Sequence, residues 1–500
     1  MEFKMYKFKK AIGQLTFFNN FFTCNKELDP QNRWVVLSEL IPWDEIEIKY
    51  KGLFADEGAP GKAIRLAPGA LIIKERLSLT DEETLQQITE NPYLQYFVGF
   101  EQFGTQKPFT QSSMTYFRKR FTTEIMNEIN EMICYSENAR KLTKTENDND
   151  DDSQTPTGGC NGNSTEEPAG IENRGTLILD ATCVPADIHY PTDVTLLNDA
   201  REIAENIIDI LHEPFIGEQK KPRDYRIVAR KRFLEFIKRR KPNGAAVRKA
   251  IRKQLGFLGR DLRIIRNLVE KSETFSLPKP LYKKLLVINE LYRQQKYMYK
   301  NKIHKVDDRI VSIHQPHIRP IVRGKASADV EFGAEISVSV VDGLTFLETL
   351  SFDNYNESNR FIETVEEFKR RYGFYPQSIL VDQIYRNREN RKFCKLNGIR
   401  INGPKLGRPT ESTKEEMQCN RLDEGQRNRI EGKFGEAKRK YGLDRILTRL
   451  PETTGCTIAV NCIVLNLEHL LRLSFFSFFN VQIWFDAYKI DWSGKEVYEI

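Results

Sequence analysis

The sequence predicts an α/β domain that is interrupted by a helical, basic insertion and preceded by an all-α N-terminal domain. Three observations predict it. Short apolar runs of strand length alternate with amphipathic helical stretches in the second half of the chain. Residues 30–135 carry helix start and stop signals without a strand pattern. Between the first strand and the others lies a long helical stretch with a surplus of Lys and Arg.

The elements follow in order. In the first 135 residues, Trp34–Leu40 reads as a helix stopped by Pro42, and Ala67–Ser78 carries the apolar Leu71, Ile72, Ile73 and Leu77. Thr80-Asp81-Glu82-Glu83 looks like a capped helix start with an acidic first turn, Asn91-Pro92 interrupts that run, and Thr110–Phe121 ends on Arg118-Lys119-Arg120. The reading is a compact all-helical module with basic ends, residues 1–135, which the resemblance named below implies to be DNA-binding. Residues 136–173 read as an acidic, disordered linker: Thr145–Asn173 holds eight acids and no Lys or Arg, with almost nothing to bury. An apolar strand, Thr176–Leu179, then ends on Asp180. Residues 199–319 form the helical basic insertion. Within it Lys220–Lys253 holds fifteen Lys or Arg against two acids, interleaved with apolar residues at helical spacing. Strands return at 336–341 and 345–350 around the turn Asp342-Gly343, as a hairpin. A helix over 356–372, a strand 378–381 ending on Asp382, a helix over 386–397, a short strand 399–401 and a long helix over 422–441 complete the alternation. The α/β domain is thus assembled from 174–198 and 320–475, with 476–500 as a C-terminal tail.

Composition narrows the function classes. With 500 residues, 40% apolar and 11% aromatic, the chain has enough to bury a core and is not globally disordered. The longest uncharged apolar stretch, Thr453–Leu467, falls short of the roughly 18–20 residues that span a bilayer, so no membrane partner is expected. Met1-Glu2-Phe3-Lys4-Met5 leads into no export signal, which points to the cytoplasm. The eight cysteines contain no C-x-x-C pair, so neither a zinc ribbon nor a disulfide framework is suggested. The net charge of +7 is modest, but its uneven distribution favours a polyanionic partner.

Two acids, Asp180 and Asp382, sit directly after apolar strands, where the crevice of an α/β sheet gathers ligands. Either alone is also an ordinary turn or cap residue. Asp187 and Asp193 are rivals for the first position, but only Asp180 follows an unbroken apolar run. In the long helix, at about 100° per residue, Arg427 lies about 40° from Glu431 and Lys438 about 20° from it, so the three share a face, while Glu436 points about 140° away. A solvated, salt-bridged helix would carry the same spacing.

Taken together, these motifs resemble the DDE transposases of bacterial insertion sequences. The resemblance runs through DATxxxxxIxYPTD (Asp180–Asp193), QPHIRPIVRGKA (Gln315–Ala326), VEFGAEI (Val330–Ile336), FDNYNES (Phe352–Ser358), the block from Asp382 to Pro409, and NRIEGKFGEAKRKYGL. The last is similar to the family's third-acid signature, in which Tyr, Arg, Glu and Lys follow one another with two, three and six residues between them. Arg427, Glu431 and Lys438 fit that spacing, and Glu424 stands at the Tyr position.

The resemblance implies a ribonuclease H-like catalytic domain with Asp180, Asp382 and Glu431 as its catalytic, metal-binding acids. Hard carboxylate oxygens suit Mg²⁺, or Mn²⁺ in its place, and two such ions stabilise both the attacking and the leaving oxygen of a phosphodiester. It further implies DNA contacts from Arg427 and Lys438, and from Arg323 and Lys325 at a strand entry. The partners would be terminal inverted repeats and target DNA, with a homodimer in the active complex. From charge, Arg239, Arg240 and Lys241 are added as backbone contacts. Two other classes compete: a catalytically inactive, sequence-specific DNA-binding protein derived from a transposase, and a stand-alone metal-dependent DNA nuclease. Blander readings apply elsewhere. His314 and His317 lack a third ligand nearby, His189 reads as a packed neighbour, the loop Gly403–Pro409 lies equally well in solvent or on DNA, and the aromatic-rich run Leu470–Phe485 reads as core or a subunit contact.

Overall fold

The structure is a computed structural model that describes residues 28–53, 64–136, 139, 172–272, 277–325, 328–403 and 414–489. It divides into two compact units. One comprises Met1–Thr182, Ile336–Leu350 and Tyr355–Ile500; the other comprises Cys183–Glu335 and Ser351–Asn354.

The first unit opens with helices α1 (Arg33–Leu40), α2 (Trp43–Tyr50), α3 (Leu66–Leu77), α4 (Asp81–Glu90), α5 (Pro92–Phe97), α6 (Gln111–Arg120) and α7 (Thr123–Tyr135). Local chemistry sets their ends. The Thr80 hydroxyl accepts from the Glu83 backbone N–H at 3.2 Å while the Glu83 carboxylate accepts from the Thr80 N–H at 2.8 Å, a reciprocal cap. Asn91 closes α4 and caps α5, accepting from Tyr93 N–H at 2.9 Å with Pro92 in the first helical position. Each such cap stabilises its helix by about 1 kcal/mol. The rings of Trp34 and Trp43 meet Phe97 edge-on at 5.1 and 5.7 Å, fixing the crossing of α1, α2 and α5.

Strand β1 (Thr176–Pro185) follows. It is longer than the sequence predicts. Ala181, Thr182, Cys183 and Val184 are small or β-branched and buried, so pairing continues past Asp180, which lies inside the strand rather than after it. The chain then forms α8 (Asp193–His212), α9 (Arg226–Ile237), α10 (Gly244–Lys271), α11 (Lys279–Asn301) and β2 (Arg319–Lys325). These are elements of the second unit. Their core joins Leu197, Ala204 and Ile208 of α8, Leu258 and Ile265 of α10, and Ile288 and Leu291 of α11. Helix α9 buries only Ala229, leaving Ile227, Leu234 and Ile237 exposed among Arg and Lys. The segment between α9 and α10, with Arg239, Arg240 and Lys241, is exposed.

Then come β3 (Ala328–Val341), β4 (Leu344–Ser351), α12 (Phe361–Tyr372), β5 (Ser378–Val381), α13 (Arg388–Leu396), β6 (Arg400–Ile401), α14 (Lys414–Lys440) and α15 (Pro451–Lys489). The sheet order is β2–β3–β1–β5–β6, with β4 paired to β3. Asp342 (φ 49°) and Gly343 (φ 76°) make the two-residue turn between β3 and β4, both left-handed as a tight hairpin requires. The long helix α14 starts at Lys414, earlier than the sequence predicts, and α15 passes residue 475 to reach Lys489. Within α15, Pro451–Phe475 is long and apolar enough to cross a membrane by length and composition, because the helix carries the pattern beyond the uncharged run. That window is 67% buried inside the protein, as expected of a core helix packed on α3, α6 and α7.

Candidate active site

Register brings the two strand acids together. β1 and β5 pair in parallel with Thr176 opposite Ser378 and Leu179 opposite Val381, so the next residues along each strand direction are Asp180 and Asp382. Neighbouring strands lie about 4.8 Å apart. The Asp180 carboxylate accepts from the Ala181 N–H at 2.8 Å. Burial pushes its pKa above the ordinary Asp value; the Ala181 bond and Arg427 oppose the rise, and the charges of Asp382 and Glu431 add to it. Asp382 is exposed, and its carboxylate accepts from the Gln383 N–H at 2.7 Å, capping the short turn Gln383–Tyr385.

Helix α14 is laid on this end of the sheet by its apolar face. Ile430 packs with Ile178, Val340 and Leu380, with Phe434 against the same cluster. Glu431, next to Ile430, therefore stands close enough to Asp180 to raise its pKa. Arg427 sits one turn earlier, 3.5 Å from Glu431. Two turns later Lys438 donates to the Thr182 hydroxyl at 3.0 Å, two residues along β1 from Asp180 and so on the same strand face. Glu436 is turned elsewhere, to Lys440 at 3.0 Å and Arg472 at 3.5 Å. Glu424 is exposed.

Other sequence candidates have partners of their own. Asp193 is taken up by Arg309 at 2.7 Å and Gln295 at 2.8 Å, a structural role at the start of α8. The His317 ring meets Phe352 edge-on at 4.6 Å. Arg323 and Lys325 fall in β2, but their side chains lie outside the described residues, as do residues 404–409 of the predicted loop. Among the described residues no three His, Cys, Asp or Glu side chains stand together as a ready metal cage, because Glu431 faces Arg427.

Sequence reasoning passes over three residues at this place. Thr182 receives Lys438. The Asn402 side chain accepts from the Val381 N–H at 3.0 Å and fixes the end of β5. Arg386, just after the turn that Asp382 caps, couples electrostatically to Asp382 and Arg427. None belongs to a periodic pattern; only the proximity of Arg386 to Asp382 in sequence could have drawn notice.

Two family models match the chain: a transposase DDE domain over residues 379–468, and a transposase domain (DUF772) over residues 22–120. Together the two matches support an insertion-sequence transposase. The first match takes in Asp382, Arg427, Glu431 and Lys438; the second covers most of the N-terminal helices. The chain is also 35% identical over 102 residues to a Rhizobium meliloti protein described as uncharacterized protein ORF8 in nfe locus, over 20% of this chain and 49% of that relative. The chain thus spans about half the length of the curated relative it matches. No solved structure matches it. Divalent metal ions are general among DDE transposases.

Proposed function

We infer that this transposase cuts DNA at the terminal inverted repeats of an insertion sequence and joins the 3′-hydroxyl ends to target DNA, using a ribonuclease H-like domain whose acids are Asp180, Asp382 and Glu431. The observation that carries the reading is the β1–β5 register, which sets Asp180 beside Asp382 at one sheet position, with Glu431 of α14 within electrostatic reach of Asp180.

The donor set fits a hard divalent cation. Asp180 and Asp382 each follow the last paired residue of two neighbouring strands, and the raised pKa of Asp180 marks a carboxylate whose burial no cation fully offsets. Asp180, Asp382 and Glu431 would hold Mg²⁺ or Mn²⁺, as two ions; when bound, these supply charge stabilisation to the attacking and leaving oxygens of a phosphodiester. To hold a cation Glu431 would leave Arg427, a change its exposed side chain permits, and Arg427 would then be available to a DNA phosphate. Lys438, steadied by Thr182, holds a second phosphate on the same helix face. Neither cation needs to move a proton; both position the backbone and offset its charge.

The exposed Arg239, Arg240 and Lys241 hold DNA without reading it, and Arg323 and Lys325 assist at the site. The helical N-terminal module recognises the ends. Two ends are paired by a homodimer, in the bacterial cytoplasm.

The test uses the full chain, Mg²⁺ and duplexes made from the DNA that flanks its gene. Nicking at a fixed position, and joining of a pre-cut 3′ end to a second duplex, are expected. Cleavage without joining would make it a nuclease, and specific binding without cleavage a DNA-binding protein; either result overturns the reading.

A further inference from the structure

The geometry points to Arg386 as a phosphate-contacting residue of the active site, an inference that rests on the transposase reading above. Its backbone is tied down by burial and hydrogen bonds. Tyr385, fully buried, anchors the turn behind Asp382. Asn390 donates to the Tyr385 carbonyl at 2.8 Å and to the Ser358 carbonyl at 3.0 Å, and Arg391 donates to the Arg386 carbonyl at 3.1 Å. The place where Arg386 leaves the chain is therefore fixed relative to Asp382.

Its guanidinium is held close but incompletely bonded. Among the described residues Nη1 reaches only the Asn402 carbonyl, at a long 3.4 Å, and the buried Nε has no hydrogen-bond partner. A buried donor left unmade is costly, and an arginine donor is the more so for its charge. The chain passes close by the guanidinium at Gly403, whose φ of +88° favours glycine and where a Cβ would lie 1.4 Å from Nη1 and displace that group. Asn402 ties that same segment to the end of β5 through Val381 N–H.

The surroundings identify the missing partner as an anion. Arg386 feels the positive charges of Arg391 and Arg427 and the negative charge of Asp382. Arg427 already has Glu431 opposite it, whereas the Nε of Arg386, within electrostatic reach of Asp382, has no acceptor among the described residues. A non-bridging phosphate oxygen supplies one, and a planar guanidinium presents two parallel donors to phosphate as an ammonium does not. Arg386 would grip the backbone at or next to the cleaved phosphodiester, while Arg427 and Lys438 hold it from α14.

The experiment pairs protein variants with DNA in which one phosphate at a time, around the cleavage position, is replaced by an uncharged methylphosphonate. Binding of the full chain is measured in EDTA, and cleavage and joining in Mg²⁺. For the parent, one substitution should weaken binding by roughly tenfold or more, the scale of a charge-assisted phosphate contact. In Arg386→Ala the intact DNA should already bind that much more weakly, and the same methylphosphonate should cost nothing further. Arg386→Lys, which keeps the charge but not the fork, should fall between the two and serves as the readout if the alanine variant does not fold. Equal losses in parent and variants at every phosphate would overturn the assignment of Arg386 while leaving the transposase reading standing. A parent chain that neither binds nor cuts the flanking DNA would overturn both.

Discussion

The side-chain amide of Asn466 takes both backbone hydrogen-bonding groups of Thr345: its Oδ1 accepts from the Thr345 N–H at 2.7 Å, and its Nδ2 donates to the Thr345 carbonyl at 2.8 Å. Helix α15 thereby pairs with the start of β4 as another strand would. Nδ2 also donates to Asn130 Oδ1 at 2.9 Å, so α7 joins the same knot, in which Asn466 is fully buried. Asn466→Ala should leave the Thr345 N–H unmade, while the Thr345 carbonyl keeps Asn130 Nδ2 at 3.0 Å. The expected loss is about 1–3 kcal/mol, read as a lower melting temperature of the full chain. Asn466→Asp, which keeps the acceptor but buries a charge and removes all the Nδ2 donations, to Thr345, Asn130 and Cys134, should cost more; a ranking with Asp milder than Ala would contradict this account.

Asp261 of α10 is fully buried, and neither of its carboxyl oxygens has a hydrogen-bond partner. Burial, then the nearby negative charges of Glu205 and Asp224, push its pKa up to about 8, against the pull of Arg201 and Arg260. The folded protein therefore keeps a proton that the unfolded chain releases near the ordinary Asp value of about 4. The native state binds more protons between these two values, so stability falls as pH rises through that window, by up to about 1.4 kcal/mol per unit, and levels off above the folded pKa. Asp261→Asn cannot ionise. Thermal melts at several pH values should show its advantage over the parent growing from pH 5 to pH 8; a constant difference would mean that Asp261 does not hold its proton.

How much of this was legible in the sequence depends on the range of each interaction. The Thr80–Glu83 cap, the Asn91-Pro92 break and the Asp342-Gly343 turn are made by residues within a few positions of one another, and the structure has them where the sequence predicts. The end of β1 is not, because whether a strand continues past an Asp depends on whether Cys183 and Val184 find a buried place. The start of α14 and the extent of α15 are likewise settled by packing rather than by local signals. At the candidate site, residue types and strand ends suggest acids. The pairing that puts Asp180 beside Asp382 joins segments 202 residues apart, as in the 2.8 Å contact between the Thr176 and Ser378 hydroxyls, and no local pattern encodes it. Asn466, Asp261 and Arg386 carry no periodic signature because their roles exist only in tertiary contact.

Asp180→Asn, Asp382→Asn and Glu431→Gln should each abolish cleavage and joining, with losses well beyond the roughly 10–100-fold typical of an outer-shell partner of a metal ligand. Each change removes a metal-holding charge and little volume, so DNA binding in EDTA should stay within a few-fold of the parent. Glu436→Gln is the internal control: Glu436 pairs with Lys440 and Arg472, and its loss should leave cleavage near the parental rate. Full activity in Glu431→Gln, with loss in Glu436→Gln, would transfer the third acid to Glu436.

Reversing Arg239, Arg240 and Lys241 to Glu tests the basic segment between α9 and α10. All three side chains are exposed, so the change should not perturb the α8–α10–α11 core. If each cation meets a phosphate, fewer counterions are released on binding, and the plot of log affinity against log salt should flatten by about 0.9 for every phosphate no longer neutralised. Because cations on the phosphate backbone carry no sequence information, end DNA and unrelated DNA should weaken together. Selective loss on end DNA would place these residues in base recognition, and an unchanged slope would mean that the positive charge between α9 and α10 faces solvent in the complex.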